Sequence, residues 1–258
     1  MGNQFVQFVD TNVNKTQYLS NELRIMEIFH TVQGEAPFAG YPCVFLRLSG
    51  CNRGRKIGMH CEFCDTFFAY EDGTSIPNER TVETLKEELK DYAQPMLVVT
   101  GGEPFLQYPA LDNLMLELRR IYPNILIQFE TNGDIEPIGL RSSSNIRNIH
   151  LVISPKGPPR SNMWYLSSYY EGIPMTLRRV VSSTIPAYRV LLPEWLTTLN
   201  FQNVFLSPIT VYKQNEEGKV VVDVEASQEN GRYCMQLIKA NHYKPKMSFQ
   251  SHVYMNIK

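Results

Sequence analysis

The chain has 258 residues, of which 43% are hydrophobic and 20% are charged, and its formal net charge is −1 at pH 7. This composition is typical of a folded protein of one or two domains, and the near-neutral charge gives no reason to expect a nucleic-acid or anionic-membrane partner. The N-terminus lacks the features of a secretion signal, and no stretch approaches the ~20 apolar residues of a membrane span, so we expect a cytoplasmic protein.

Apolar runs alternate with amphipathic segments from Leu23 onward, whereas residues 1–22 are polar and form an N-terminal extension. The patterns predict strands at residues 25–29, 43–48, 96–99, 125–130, 149–153, 177–181, 204–206 and 246–249, and helices at residues 81–92, 108–121, 187–199 and 226–240. Most of the strands are apolar on both faces, which is typical of a parallel sheet covered by helices. We therefore predict a single α/β domain over residues 23–258.

Three of the five cysteines, Cys51, Cys61 and Cys64, lie in one segment with the spacing C-x9-C-x2-C. Clustered cysteines in a chain without a secretion signal favour metal binding over disulfides. Soft thiolate ligands select zinc, copper(I) or an iron–sulfur cluster. His60 is adjacent and could complete a zinc site, whereas three thiolates alone would leave one iron of a [4Fe–4S] cluster open. Both interpretations remain open at this point.

Polar motifs follow the ends of several predicted strands. They begin at Cys51, at residues 100–103, 130–132 and 154–156, and at Ser207. In a parallel α/β barrel, the carboxyl ends of the strands carry the active site. The loops are far apart in sequence, and we expect them to build one pocket.

The cysteine segment and the Gly-Gly-Glu-Pro sequence at residues 101–104 together resemble the radical SAM superfamily. Within it, the chain is similar to the 7-carboxy-7-deazaguanine synthase family. The matching runs are EIFHTVQGEAPFAGYPCVFLRLSGC at residues 27–51, CDT at 64–66, TGGEP at 100–104, ETNG at 130–133, SPKG at 154–157 and FQSH at 249–252. They occur in this order across nearly the whole chain, and together they are specific.

The resemblance implies that residues 23–258 are one radical SAM domain with a modified, incomplete (β/α)6 barrel. In this superfamily, three cysteines hold a [4Fe–4S] cluster, and S-adenosylmethionine (SAM) binds its open iron and is cleaved to a 5′-deoxyadenosyl radical. The synthases use Mg2+ and convert 6-carboxy-5,6,7,8-tetrahydropterin to 7-carboxy-7-deazaguanine with release of ammonia. The resemblance further implies a homodimer and an electron donor such as flavodoxin or ferredoxin.

Carried over residue by residue, the resemblance also implies a set of site residues. Cys51, Cys61 and Cys64 would hold the cluster, and Thr66 would ligate Mg2+ through its hydroxyl, a hard oxygen donor. The SAM-binding residues would be Phe63, Asp65, Gly102, Glu103, Ser154, Pro155, Lys156 and Ser207. The pterin-binding residues would be Val32, Gln33, Gly34, Glu35, Arg47, Thr100, Gln250 and His252. The guanidinium of Arg47 suits a substrate carboxylate.

The cysteine loop departs from the superfamily pattern. Most radical SAM proteins have C-x3-C-x2-C, whereas here nine residues separate the first two cysteines. The insert contains Arg53, Arg55 and Lys56, whose partners the sequence does not identify. Two alternative functions remain: an activase that makes a glycyl radical on a partner enzyme, and a zinc-binding interaction module. The activase would need neither residues 32–35 nor Thr66 as a magnesium ligand.

Overall fold

The computed structural model describes residues 21–53, 61, 63–70, 73–138, 140, 148–156, 165, 170, 172–185, 203–240 and 245–255. The strands of this part are β1 (Glu22–Val32), β2 (Pro42–Leu48), β3 (Thr74–Pro77), β4 (Met96–Gly101), β5 (Leu126–Thr131), β6 (Ile149–Ile153), β7 (Met175–Val181), β8 (Asn203–Pro208), β9 (Tyr212–Gln214), β10 (Val220–Val222) and β11 (Lys246–Met247). The α-helices are α1 (Asn78–Leu89), α2 (Tyr108–Ile121), α3 (Val224–Ala240) and α4 (Ser251–Tyr254), and 3-10 helices cover Phe67–Tyr70 and Pro104–Gln107.

Nine of the strands form one sheet in the order β11-β8-β7-β6-β5-β4-β2-β1-β3. The strands β2, β4, β5, β6, β7 and β8 pair in parallel, one after the other. At one edge β1 pairs antiparallel with both β2 and β3, and at the other edge the short β11 pairs in parallel with β8. The carboxyl ends of the parallel strands therefore lie along one rim of the sheet, as the α/β prediction requires.

The two faces of the sheet contribute to two separate apolar clusters. Leu97 and Val99 of β4 belong to the main apolar core, which also contains Leu111 and Leu114 of α2. Val98 lies between them in sequence and belongs to a smaller apolar cluster with Cys43. Successive side chains of a strand point to opposite faces, so the two clusters lie on opposite faces of the sheet, and α2 covers the face that carries Leu97 and Val99.

Most predicted elements are present within one to three residues of their expected ends. The predicted helix at residues 81–92 begins three residues earlier, at Asn78. Thr81 therefore lies inside the helix, where its hydroxyl donates to the carbonyl oxygen of Pro77 at 3.1 Å. The strands β3, β9 and β10 were not predicted, since they are short and mostly exposed.

Several predicted features lie outside the described residues: residues 1–20 of the N-terminal extension, the helix at residues 187–199, the candidate zinc ligand His60, and Arg55 and Lys56 of the insert. In the part of the chain that is described, none of the helices combines the length and the apolar character needed to cross a membrane.

Candidate active site

A cavity of about 220 Å3 opens at the rim formed by the carboxyl ends of the parallel strands. Each strand-end motif contributes to its wall, through Cys51, Thr100, Glu130, Ser154 and Ser207. The sheet therefore brings together loops that are far apart in sequence, as the strand-end argument predicts.

Most of the predicted site residues line this cavity. They are Val32, Gln33, Glu35, Arg47, Cys51, Cys61, Phe63, Cys64, Asp65, Thr66, Thr100, Gly102, Ser154, Lys156, Ser207, Gln250 and His252. Gly34, Glu103 and Pro155 were also predicted to bind ligands, but they are not part of the wall. The ligand assigned to each residue remains a prediction.

The three clustered cysteines are unbonded thiols on the cavity wall. Burial raises the pKa of Cys51 to about 12, and it also raises the pKa of Cys61, against the nearby positive charges of Lys156 and Arg53. The Cys64 sulfur lies 3.7 Å from the Thr66 hydroxyl. Among the described residues, no three His, Cys, Asp or Glu side chains converge closely enough to hold a single metal ion.

The carboxylate of Glu130 connects several predicted pterin-binding residues. It accepts hydrogen bonds from the Gln33 amide at 3.1 Å, the Thr100 hydroxyl at 3.1 Å and the Gln128 amide at 3.0 Å. The side-chain oxygen of Gln33 in turn accepts the backbone N–H of Glu35 at 3.1 Å. Burial raises the pKa of Glu130, while the donors from Gln33 and Thr100 act in the opposite direction. A fixed polar network thus lies on the cavity wall.

Arg178 of β7 is a cavity residue that sequence reasoning missed. Its guanidinium forms an ion pair with Glu35, and its Nε donates to the Ser154 hydroxyl at 3.1 Å. Burial lowers its pKa to about 10. The side chain therefore joins a residue predicted to bind pterin to one predicted to bind SAM. The available signal was a basic residue inside the apolar strand MTLRRVV.

Arg47 lies on the cavity wall and is also paired within the protein. Its Nε donates to Glu27 at 2.8 Å, and its guanidinium carbon lies 5.8 Å and 5.6 Å from the ring centroids of Phe29 and Phe68. These contacts fix the side chain in one orientation beside the cavity. Arg47 was predicted to meet the substrate carboxylate, and the structure gives it both a protein partner and a place on the cavity wall.

Glu103 lies beneath the cavity and is fully buried. Its carboxylate accepts hydrogen bonds from the Thr131 hydroxyl at 2.7 Å and from the backbone N–H groups of Asn132 at 2.8 Å and Phe105 at 3.2 Å. Burial raises its pKa to about 7 despite these donors. In this geometry, Glu103 fastens the loop after β4 to the loop after β5.

The two glycines before Glu103 allow close packing against the cysteine loop. Gly101 has a φ of +130°, which is accessible mainly to glycine. A Cβ on Gly102 would overlap the carbonyl oxygen of Gly50, immediately before Cys51. The glycine pair therefore lies directly against the start of the cysteine loop.

The C-terminal segment returns to the same cavity. The backbone N–H and the hydroxyl of Ser251 both donate to the Gly34 carbonyl at 3.0 Å, and the Gln250 amide donates to Asp65 at 3.0 Å. His252 packs so closely on Gly34 that a side chain there would overlap its ring. Burial lowers the pKa of His252. Gly34 thus supports the cavity wall from behind.

The chain is similar in sequence to known proteins. Residues 38–156 match a protein family described as a 4Fe-4S single cluster domain. The 7-carboxy-7-deazaguanine synthase of Hyperthermus butylicus is 41% identical over 145 residues, which are 56% of this chain and only 57% of that protein. The 7-carboxy-7-deazaguanine synthase of Rickettsia prowazekii is 27% identical over 242 residues, which are 92% of this chain and 89% of that protein. These matches confirm the resemblance to the synthase family.

The fold is also similar to a solved structure. The crystal structure of QueE from Escherichia coli superimposes with a TM-score of 0.59 at 23% sequence identity, over 93% of this chain and 100% of that chain. Together with the parallel strand order, this confirms the predicted α/β fold, whose mostly parallel sheet is consistent with an incomplete barrel.

Proposed function

We propose that this protein is a radical SAM enzyme that converts 6-carboxy-5,6,7,8-tetrahydropterin to 7-carboxy-7-deazaguanine and releases ammonia. The observation that carries the proposal is a single cavity lined both by Cys51, Cys61 and Cys64 and by the polar network around Glu130. The similarity to synthases named for this product, over nearly the whole chain in one case, supports the choice of substrate.

The donor set of the cavity fits a [4Fe–4S] cluster. Three cysteines without disulfide partners line the same cavity, and soft thiolates are the ligands that such clusters use. Lys156 and Arg53 carry positive charges near Cys61, which favours its thiolate form. When bound, the cluster would supply the single electron that cleaves SAM.

The SAM-binding side of the cavity is assigned to the loops after β4, β6 and β8. Ser207 lines the cavity, and within the described part of the chain its buried hydroxyl has no hydrogen-bond partner. A buried hydroxyl without a partner is costly, so a ligand that bonds to it is favoured. Lys156 lies over the Phe63 ring at 5.4 Å and offers a positive charge to the SAM carboxylate.

The pterin side is assigned to the loop after β1 and the residues that contact it. Arg47 would hold the substrate carboxylate, while the Gln33–Glu130–Thr100 network would present acceptors to the N–H groups of the ring. Because these groups are already hydrogen-bonded to one another, little reorganisation is needed when the substrate binds. His252 and Gln250 would close this side of the cavity.

Three further features are proposed from the resemblance alone. Thr66 would ligate Mg2+, the protein would be a homodimer, and flavodoxin or ferredoxin would supply the electron. Thr66 lines the cavity with its hydroxyl 3.7 Å from the Cys64 sulfur, and a hydroxyl oxygen is a donor that suits Mg2+. Dependence of turnover on added Mg2+ tests the first feature and also separates the synthase from a glycyl-radical activase.

The direct test of the proposed function is anaerobic reconstitution with iron and sulfide, followed by SAM, reductant, Mg2+ and 6-carboxytetrahydropterin. We expect 7-carboxy-7-deazaguanine and ammonia to form in equal amounts. The Cys64→Ala variant should be inactive, and Cys234→Ala, which removes a thiol buried elsewhere, should remain active. An intact cluster without this product would contradict the substrate assignment.

A further inference from the structure

The inserted cysteine loop is fastened to the barrel by an ion pair at its start. Arg53, two residues after Cys51, donates from Nε to Asp134 at 2.6 Å and from Nη2 to the other oxygen of Asp134 at 3.0 Å. Its Nη1 donates to the backbone oxygen of Lys156 at 3.2 Å. One guanidinium thereby ties the cysteine loop to the loops after β5 and β6.

Both members of the pair are shielded from solvent. Their side chains are only 9% and 15% exposed. Two parallel hydrogen bonds between a guanidinium and a carboxylate fix orientation as well as distance, which a single contact on an exposed surface does not. This geometry separates the pair from ordinary surface ion pairs such as Arg120 with Glu117, whose side chains are 65% and 47% exposed.

Neighbouring asparagines reinforce the pair. The amide of Asn52 donates to Asp134 at 3.1 Å, and the amide of Asn132 donates to the side-chain oxygen of Asn52 at 2.8 Å. The backbone N–H of Asp134 donates to Asn132 at 2.9 Å, which fixes the loop after β5. These hydrogen bonds join the segment after β2 to the loop after β5.

A long loop between two ligands has a physical cost. The longer the segment between Cys51 and Cys61, the larger the conformational entropy that is lost when the two sulfurs are brought together. A fixed starting point removes part of that cost before the cluster binds, because Cys51 and the next residues already have one position. A fixed position for Cys51 therefore matters more with nine residues between the first two cysteines than with three.

We propose that Arg53 and Asp134 form a clamp that positions the extended cysteine loop for assembly and retention of the cluster. This inference rests on the proposed function only in that Cys51, Cys61 and Cys64 bind a [4Fe–4S] cluster. Arg53 acts through the loop and is a positioning residue. The clamp does not depend on the identity of the pterin.

The test measures the cluster and does not depend on turnover. Arg53→Gln, Asp134→Asn and the double variant are reconstituted anaerobically, their iron and sulfide contents are measured, and cluster loss to excess EDTA is followed by absorbance. We expect each single variant to lose the cluster about 10-fold faster than wild type, a typical effect of removing a group that orients a metal ligand. The double variant should lose it no faster than the singles, because either change alone breaks the pair.

Matched controls make the outcome specific. Arg120→Gln removes the same charge from an exposed pair on α2 and should retain the cluster as wild type does. Arg53→Lys keeps the charge but loses the paired hydrogen bonds, and it replaces Arg53→Gln if that variant does not fold. Wild-type retention in the variants at position 53, or additive effects in the double variant, would overturn the clamp. A wild-type protein that takes up no cluster would contradict the proposed function itself.

Discussion

Ser207 and Arg178 are two buried polar residues of the cavity wall that differ in whether the protein supplies them with hydrogen-bond or ion-pair partners. Arg178 has protein partners on two other elements, Glu35 and Ser154. The Ser207 hydroxyl has none among the described residues, although Ser207 is also buried. The first residue is therefore part of the scaffold that shapes the cavity, and the second presents an unsatisfied group to a ligand.

The Ser207→Ala variant tests this distinction. Removal of a hydroxyl that bonds only to the ligand should weaken SAM binding about 3- to 10-fold and leave the apo protein as stable as wild type, or slightly more stable. SAM affinity of the reconstituted protein, measured by equilibrium dialysis, gives the first quantity, and urea unfolding gives the second. Ser75→Ala, on the exposed strand β3, is the control. Unchanged SAM affinity together with lower apo stability would assign the hydroxyl to the scaffold.

At the scale of elements, the strands and helices that could be predicted are those whose apolar pattern lies within one short segment of the sequence. Apolar runs on β4 and β6 and the spacing of buried leucines on α2 each lie within one segment. The hairpin of β9 and β10 was missed because each strand has only three residues and none of them is buried. The partners of Arg53 and Arg178 could not be predicted either, because Asp134 and Glu35 reach them only through the folded sheet.

Glu103 is the clearest connection between two elements, and its carboxyl makes that connection sensitive to pH. Its pKa is near 4.5 in the unfolded chain and about 7 in the fold, so the folded state holds the proton more tightly. The resulting stabilisation is complete below pH 4.5 and is lost as the pH rises through 7.

A Glu103→Gln variant lacks this titration. We therefore expect the free energy of unfolding of wild type, relative to the variant, to fall between pH 5 and pH 8 by on the order of 3 kcal/mol. Urea unfolding of the two apo proteins at both pH values measures the difference. If the difference in free energy of unfolding between wild type and the variant does not fall with rising pH, Glu103 is ionised in the fold throughout this range.

At the scale of the whole molecule, the order of the strands explains why distant motifs share one cavity. The parallel run from β2 to β8 places the polar strand ends along a single rim, and the C-terminal segment returns to the loop after β1 through Ser251 and Gly34. The cavity could be predicted from sequence because each polar motif immediately follows an apolar run. The contact of the C-terminal segment with the cavity does not follow from apolar runs and polar strand ends, and it was expected only from the resemblance to the synthase family.

The central claim is that three cysteines hold a [4Fe–4S] cluster with one iron available to SAM. The most direct measurement is metal and sulfide analysis of the anaerobically reconstituted protein, combined with electron paramagnetic resonance of its reduced form before and after SAM is added. We predict about four iron and four sulfide per chain and a spectrum that changes when SAM binds to the open iron. One zinc per chain without labile sulfide, or a cluster spectrum that SAM leaves unchanged, would contradict the claim.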